Sequence, residues 1–133
     1  MLTKIDWTNI DLYNPEDLNR VESNIIETLD ELKYLCKTAG IGKTKVDRTY
    51  ADVEFADSLN RIESNIESLK NQFHEVPGWI PTKNTWRPLE PFSFIDANRL
   101  EINIKLLYEL IRSAKASIQF CGVIDCGDDT RLF

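Results

Sequence analysis

Apolar residues recur along the chain in steps of three and four, and the same run is written three times. The first run is Leu18, Val21, Ile25, Thr28, Leu32 and Leu35, with Thr28 its one polar member. The second is Leu59, Ile62, Ile66, Leu69, Phe73 and Val76, and the third Ala97, Leu100, Ile104, Leu107, Ile111 and Ala114. A stripe of this kind is the a/d seam of helices packed at a shallow angle, so it predicts three helices of about 20 residues each.

A polar motif rides on each stripe. Leu18-Asn19-Arg20-Val21-Glu22-Ser23-Asn24-Ile25 returns as Leu59-Asn60-Arg61-Ile62-Glu63-Ser64-Asn65-Ile66 and as Ala97-Asn98-Arg99-Leu100-Glu101-Ile102-Asn103-Ile104. The copies open at Leu18, Leu59 and Ala97, a near-even spacing that marks repeated helical units with long connections. The match runs upstream as well. Trp7 precedes Asn19 by the same offset as Trp86 precedes Asn98, and Tyr13 and Phe92 share a second common offset. The middle copy has Arg48 in the tryptophan position, so its lead-in is degenerate. Each complete unit reads as an extended aromatic segment, a cap and a helix. The units cover 7–40, 46–76 and 86–118, with an extension at 119–133, all in one domain.

Helix ends follow from local chemistry. Asn14-Pro15-Glu16-Asp17 offers an N-cap, a proline at the first helical position and an early acid. Ser93-Phe94-Ile95-Asp96 has the outline of a capping box with Asp in place of Glu. The middle helix has Phe55 at that offset, which points to Asp52 or Thr49 as its cap. Ala39-Gly40 and Pro77-Gly78 mark the ends of the first two helices. The fold expected is all-α, a three-helix bundle of related repeats. Its direction stays open between up-down and parallel packing. Up-down packing needs connections of only about 2–8 residues. A helix of about 20 residues is about 30 Å long, and extended chain covers about 3.3 Å per residue. The connections here are long enough to run back along a whole helix, which favours the parallel arrangement.

With the apolar stripe at a and d, the motif places Asn19, Asn60 and Asn98 at b and Arg20, Arg61 and Arg99 at c. Glu22, Glu63 and Glu101 fall at e, and Asn24, Asn65 and Asn103 at g. The e and g residues reach a neighbouring helix, whereas b and c normally face water. Their repetition points to something lying over the outer face. The lead-in carrying Trp7 or Trp86 is the economical candidate, with arginine over an indole or donating to backbone carbonyls. These residues are therefore expected to act in packing. Helix three carries a second stripe, Ile95, Ile102, Leu106 and Leu110, too wide for one seam. Either the loop bearing Trp79, Ile80, Trp86 and Leu89 covers it, or a second subunit does. From Ser117 to Ile124 the chain is expected to leave the helix as a short β-like tail.

Composition removes other classes. The 133 residues carry 16 Lys and Arg against 22 Asp and Glu, a net charge of −6, which argues against a general phosphate-backbone binder. No apolar run approaches the roughly 18 residues that a membrane span needs. The start has no secretory h-region either, so a soluble chain is expected. Gly40-Ile41-Gly42-Lys43-Thr44 resembles a phosphate loop, but Lys37 stands where that motif needs glycine, and a linker is expected. Cys36, Cys121 and Cys126 with His74 lack zinc spacing, and Asp125, Asp128 and Asp129 do not make a calcium loop. Cys36 is expected in the core, and a Cys121–Cys126 disulfide is the alternative an oxidising compartment would offer. His74 has no nucleophile and acid arranged around it, so no catalytic residues, metal or cofactor are expected.

The motif Asp17-Leu18-Asn19-Arg20-Val21-Glu22-Ser23-Asn24-Ile25, with Trp7 ahead of it and counterparts at Ser58–Ile66 and Asp96–Ile104, resembles a short segment of structural proteins in tailed phages and prophages of Gram-positive bacteria. That segment belongs to tail, baseplate and receptor-binding components, often near the attachment to the virion. The resemblance implies a non-enzymatic tail or baseplate adaptor in which Asn19, Arg20, Glu22 and their counterparts are packing residues. It implies partners that are the chain itself, other virion proteins or both, with no nucleic acid, membrane or small-molecule substrate. It also implies a virion component assembled in the bacterial cytoplasm. Three copies in one small chain depart from the usual single copy, which favours a stand-alone connector over a receptor-binding protein. The alternative is a small regulatory or inhibitory adaptor from a mobile element, cytoplasmic, with a groove lined by Trp79 and Trp86.

Overall fold

A computed structural model describes residues 1–11, 15–47, 56–87, 90 and 92–121, and for residues 15, 56–57 and 118–121 the backbone alone. Among the described residues there are three helices, α1 (Pro15–Leu35), α2 (Ala56–Phe73) and α3 (Phe94–Cys121). Their first residues stand at one common offset from Leu18, Leu59 and Ala97, so the repeat sets the helix starts. Pro15 takes the first helical position of α1, where its missing N–H costs nothing. At α3, the Ser93 N–H donates to Asp96 Oδ2 at 3.0 Å, which is the return half of a capping box. Asn14, and the caps expected for α2 at Asp52 and Thr49, lie outside the described residues.

The stripes meet in one core. Val21, Ile25, Ile62, Ile66, Leu69, Ile104, Leu107 and Ile111 are fully buried, and the remaining stripe residues close around them. Thr28 is buried too, and its hydroxyl donates to the Asn24 carbonyl at 2.7 Å, so the one polar seam residue is satisfied within its own helix.

The helices run parallel. Arg20 of α1 meets Glu101 of α3, Tyr108 meets Glu27, and Lys115 meets Glu31, so contacts advance in the same direction on both helices. The N-terminal motif of α2 likewise meets the N-terminal motifs of α1 and α3, through Arg61–Glu22 and Arg99–Glu63. The connections return along the bundle, as their length favoured. Val76-Pro77-Gly78-Trp79 starts one return with a turn in which the Trp79 N–H bonds the Val76 carbonyl at 3.1 Å. Gly78 has φ 82°, the left-handed value that the third residue of a type II turn requires.

Two expectations are revised, and one left open between alternatives is decided in part. Residues 117–121 continue α3 rather than leaving it as a β-like tail, because the helical ladder runs on to Cys121; residues 122–133 lie outside the described residues. The wide face of α3 is partly covered from within: Trp79, Leu106 and Leu110 pack on the core, the turn at Gly78 approaches Leu106, and Asn103 binds Ile80. Ile95 is left exposed, and Leu89 lies outside the described residues. Cys36 is buried as expected but is disulfide-bonded rather than a plain core thiol. The side chains of Cys121 and Cys126 lie outside those described, but with three cysteines in the chain a bond between those two would leave Cys36 without its partner, so the alternative pairing does not hold.

Candidate assembly site: straps and an arginine–glutamate ring

The lead-ins are straps held by asparagine clasps, and those bearing Trp7 and Trp86 are laid over two helices. In the first strap the Trp7 N–H donates to Asn98 Oδ1 at 2.8 Å while Asn98 Nδ2 donates to the Trp7 carbonyl at 3.0 Å. In the third, the Trp86 N–H donates to Asn60 Oδ1 at 2.6 Å and Asn60 Nδ2 to the Trp86 carbonyl at 3.1 Å. A b-position asparagine thus takes both backbone groups of one strap residue, much as a neighbouring strand would. The g-position asparagines hold the beginnings of the straps: Asn24 at Leu2, Asn65 at Gly42 and Lys43, and Asn103 at Ile80. Every strap therefore begins on its own helix, and those at Trp7 and Trp86 cross to the helix of the preceding unit, α1 being preceded by α3.

The glutamates are the centre of each crossing. Glu22, Glu63 and Glu101 are 0–1% exposed. Burying a carboxylate is costly unless its lone pairs are filled. Glu101 accepts from the Lys4 N–H at 2.9 Å, Trp7 Nε1 at 2.8 Å, and Arg20 Nε and Nη2 at 3.0 and 2.6 Å. Glu63 repeats the set with the Lys83 N–H at 2.9 Å, Trp86 Nε1 at 2.7 Å, and Arg99 Nε and Nη2 at 3.0 and 2.7 Å. The third member is Arg61 Nη2 on Glu22, at 3.3 and 3.0 Å to its two oxygens. The pairs run Arg20→Glu101, Arg99→Glu63 and Arg61→Glu22, closing a ring in which each unit donates to the one before it.

The electrostatics follow from this geometry. Burial pulls the Arg20 and Arg99 guanidiniums down, yet their bonds to Glu101 and Glu63, with help from Asp17 and Asp96, leave both above the usual arginine range. Burial pushes the Asp96 carboxyl up, but the Ser93 N–H and Arg99 override it and hold it below the usual carboxylate range. Lys83 and the Arg87 N–H likewise hold Glu90 down.

All fourteen residues singled out in the sequence lie in the straps or their helices, and both tryptophans are buried. The chief partners of the arginines are not among those expected, although Arg20 also reaches the Trp7 indole. The arginines grip carboxylates of the neighbouring helix rather than backbone carbonyls, since a fixed fork matches a carboxylate. The cations nearest the indoles are Lys4 and Lys83, at 4.5 and 4.1 Å from the ring centres, with Arg20 at 6.0 Å. A signal for those lysines was present: Thr3-Lys4, Thr44-Lys45 and Thr82-Lys83 recur in the register of the helical motif. Arg48 lies outside the described residues, but the repeated Thr-Lys keeps the middle lead-in in register.

Other candidates are absorbed by the scaffold. The Gly40 and Gly42 amides of the phosphate-loop lookalike donate to Gln72 and Asn65. Trp86 is buried under its strap, and Trp79 is half-buried against the core. Among the described residues, no three His, Cys, Asp or Glu side chains are placed to hold a metal, and no helix is long and apolar enough to cross a membrane. No family model matches the chain, and neither a curated protein nor a solved structure matches it.

Proposed function

We propose that this protein is a non-enzymatic assembly component, a tail or baseplate adaptor of a phage or prophage, which acts as a rigid helical connector. The observation that carries the reading is the ring Arg20→Glu101, Arg61→Glu22, Arg99→Glu63 under its straps. The polar motif resembling virion proteins is spent on joining units in a cycle, as a part selected for shape would spend it. Its partners under this reading are further copies of itself or other virion proteins. Absolute mass by light scattering after size exclusion, at two concentrations tenfold apart, tests the proposal. A defined oligomer whose mass does not change with concentration supports a self-assembling virion part. A monomer at both concentrations removes self-assembly and shifts the reading toward the mobile-element adaptor, for which the exposed cleft beside Trp7 is the favouring observation.

A further inference from the structure

The three units pack in a cycle, but the chain itself connects only two of the three seams. Residues 36–55 run from α1 to α2 and residues 74–93 from α2 to α3, whereas no segment leads from α3 back to α1. That unconnected seam brings the first unit against the third. At its N-terminal end it is held by the first strap, through Trp7 on Asn98 and Lys4 on Glu101, and by the Arg20–Glu101 pair. Further along, Glu27 takes Tyr108 and Glu31 takes Lys115. Past that level the two helices end, α1 at Leu35 and α3 at Cys121. Cys36, the residue after α1, is buried and disulfide-bonded. Its partner has to be Cys121, the last residue of α3, or Cys126 just beyond it. Either bond ties the end of α1 to the chain leaving α3, so either one closes the same seam.

We propose that the Cys36 disulfide is a redox lock on the α1–α3 seam, the bond that makes the cycle of units covalent. The arginine–glutamate ring clamps the N-terminal ends of the helices, and the lock clamps the far end of the one seam that has no connecting chain. Oxidised, the first unit cannot part from the third at either end. Reduced, the C-terminal half of that seam is held by side-chain packing and by the Tyr108–Glu27 and Lys115–Glu31 contacts, and the ends of α1 and α3 open first. The chemistry is thiol–disulfide exchange. Cys36 and its partner thiol give two electrons and two protons to a small disulfide such as oxidised glutathione, which leaves as two thiols, and reduced glutathione reverses the step. A reducing cytoplasm therefore keeps the seam unlocked, and an oxidising medium shuts it. The lock rests on the disulfide and the order of the units, not on the virion reading, and its test does not depend on oligomeric state.

The test compares the full chain oxidised and after reduction. Peptide mapping without reductant should find Cys36 joined to Cys121 or Cys126 of the same chain. Either bond closes a loop of about 85–90 residues, so reduction should lower the melting temperature by about 8–15 °C. Cys36→Ala should melt near the reduced parent and ignore reductant. The pair Cys121→Ser with Cys126→Ser, which leaves the packing of Cys36 in place, should do the same. Amide hydrogen exchange locates the effect: on reduction it should quicken most in the last turn of α1 and at 112–117 of α3, and least in α2. A map that joins Cys121 to Cys126 or links two chains, a melt that reductant leaves unchanged, or exchange that quickens as much in α2 overturns the proposal.

Discussion

A fully buried carboxylate is tolerated only where donors fill its lone pairs, and Glu63 shows what that requires. Its four donors come from three sources: a strap amide, an indole and a forked guanidinium. The tryptophan is thus needed for its N–H as well as its bulk. Trp86→Phe keeps most of the ring but leaves one carboxylate oxygen short of a donor. The cost should be about 1–3 kcal/mol, seen as a melting temperature about 4–10 °C lower. An unchanged melt would mean that only the aromatic packing matters. Residue chemistry also explains why lysine is repeated at the straps: the Lys4 and Lys83 backbones bond the glutamate while their ammonium groups lie over the indole beside it.

Between elements, the three seams share one design but not one strength. Arg20 and Arg99 each use Nε and Nη2 on their glutamate and are braced by an acid one turn earlier, Asp17 or Asp96. Arg61 reaches Glu22 through Nη2, its buried Nε has no hydrogen-bond partner, and Ser58 stands where the bracing acid would be. The α1–α2 seam is therefore the weak one. Arg99→Ala should cost about 3–5 kcal/mol, because it strands a buried carboxylate, and Arg61→Ala about 1–2 kcal/mol. Chemical denaturation of both variants checks the ranking, and equal losses would contradict it. Nitrogen-detected resonances give an independent reading: the Nε–H protons of Arg20 and Arg99 should exchange slowly with water and that of Arg61 quickly. Ser58→Asp restores the brace and should stabilise the chain by about 0.3–1 kcal/mol.

For the molecule as a whole, acid is the condition that loosens the fold, and the sign follows from the lowered carboxyls. Asp96, Asp11 and Glu90 all sit below their ordinary values in the folded chain. Their contribution is present above the unfolded carboxyl range, near pH ~4, and is lost as pH falls through the lower folded values. Urea midpoints should be level from neutral pH to about pH 5 and then fall. Asp96→Asn should flatten part of that fall while lowering the plateau, since Arg99 loses its brace. A parallel downward shift of the whole curve, with the same acid slope, would show that Asp96 does not contribute to it.

Residue order alone specifies the number of helices, their seams, their common starting register and the identity of the polar set. All of these are periodic: a 3-4 spacing writes the buried face, and the longer repeat copies it. Helix direction stays open at that level, because parallel and antiparallel packing bury the same stripe and only connection length leans one way. The carboxylate that each arginine grips across the seam was not legible either, since the acids within reach of Arg20 and Arg99 along their own helix are only Asp17 and Asp96. Packing in three dimensions supplies that partner. Parallel helices bring all three motifs to one level, so each arginine finds the glutamate of the preceding unit, and the straps at Trp7 and Trp86 cross above Glu101 and Glu63.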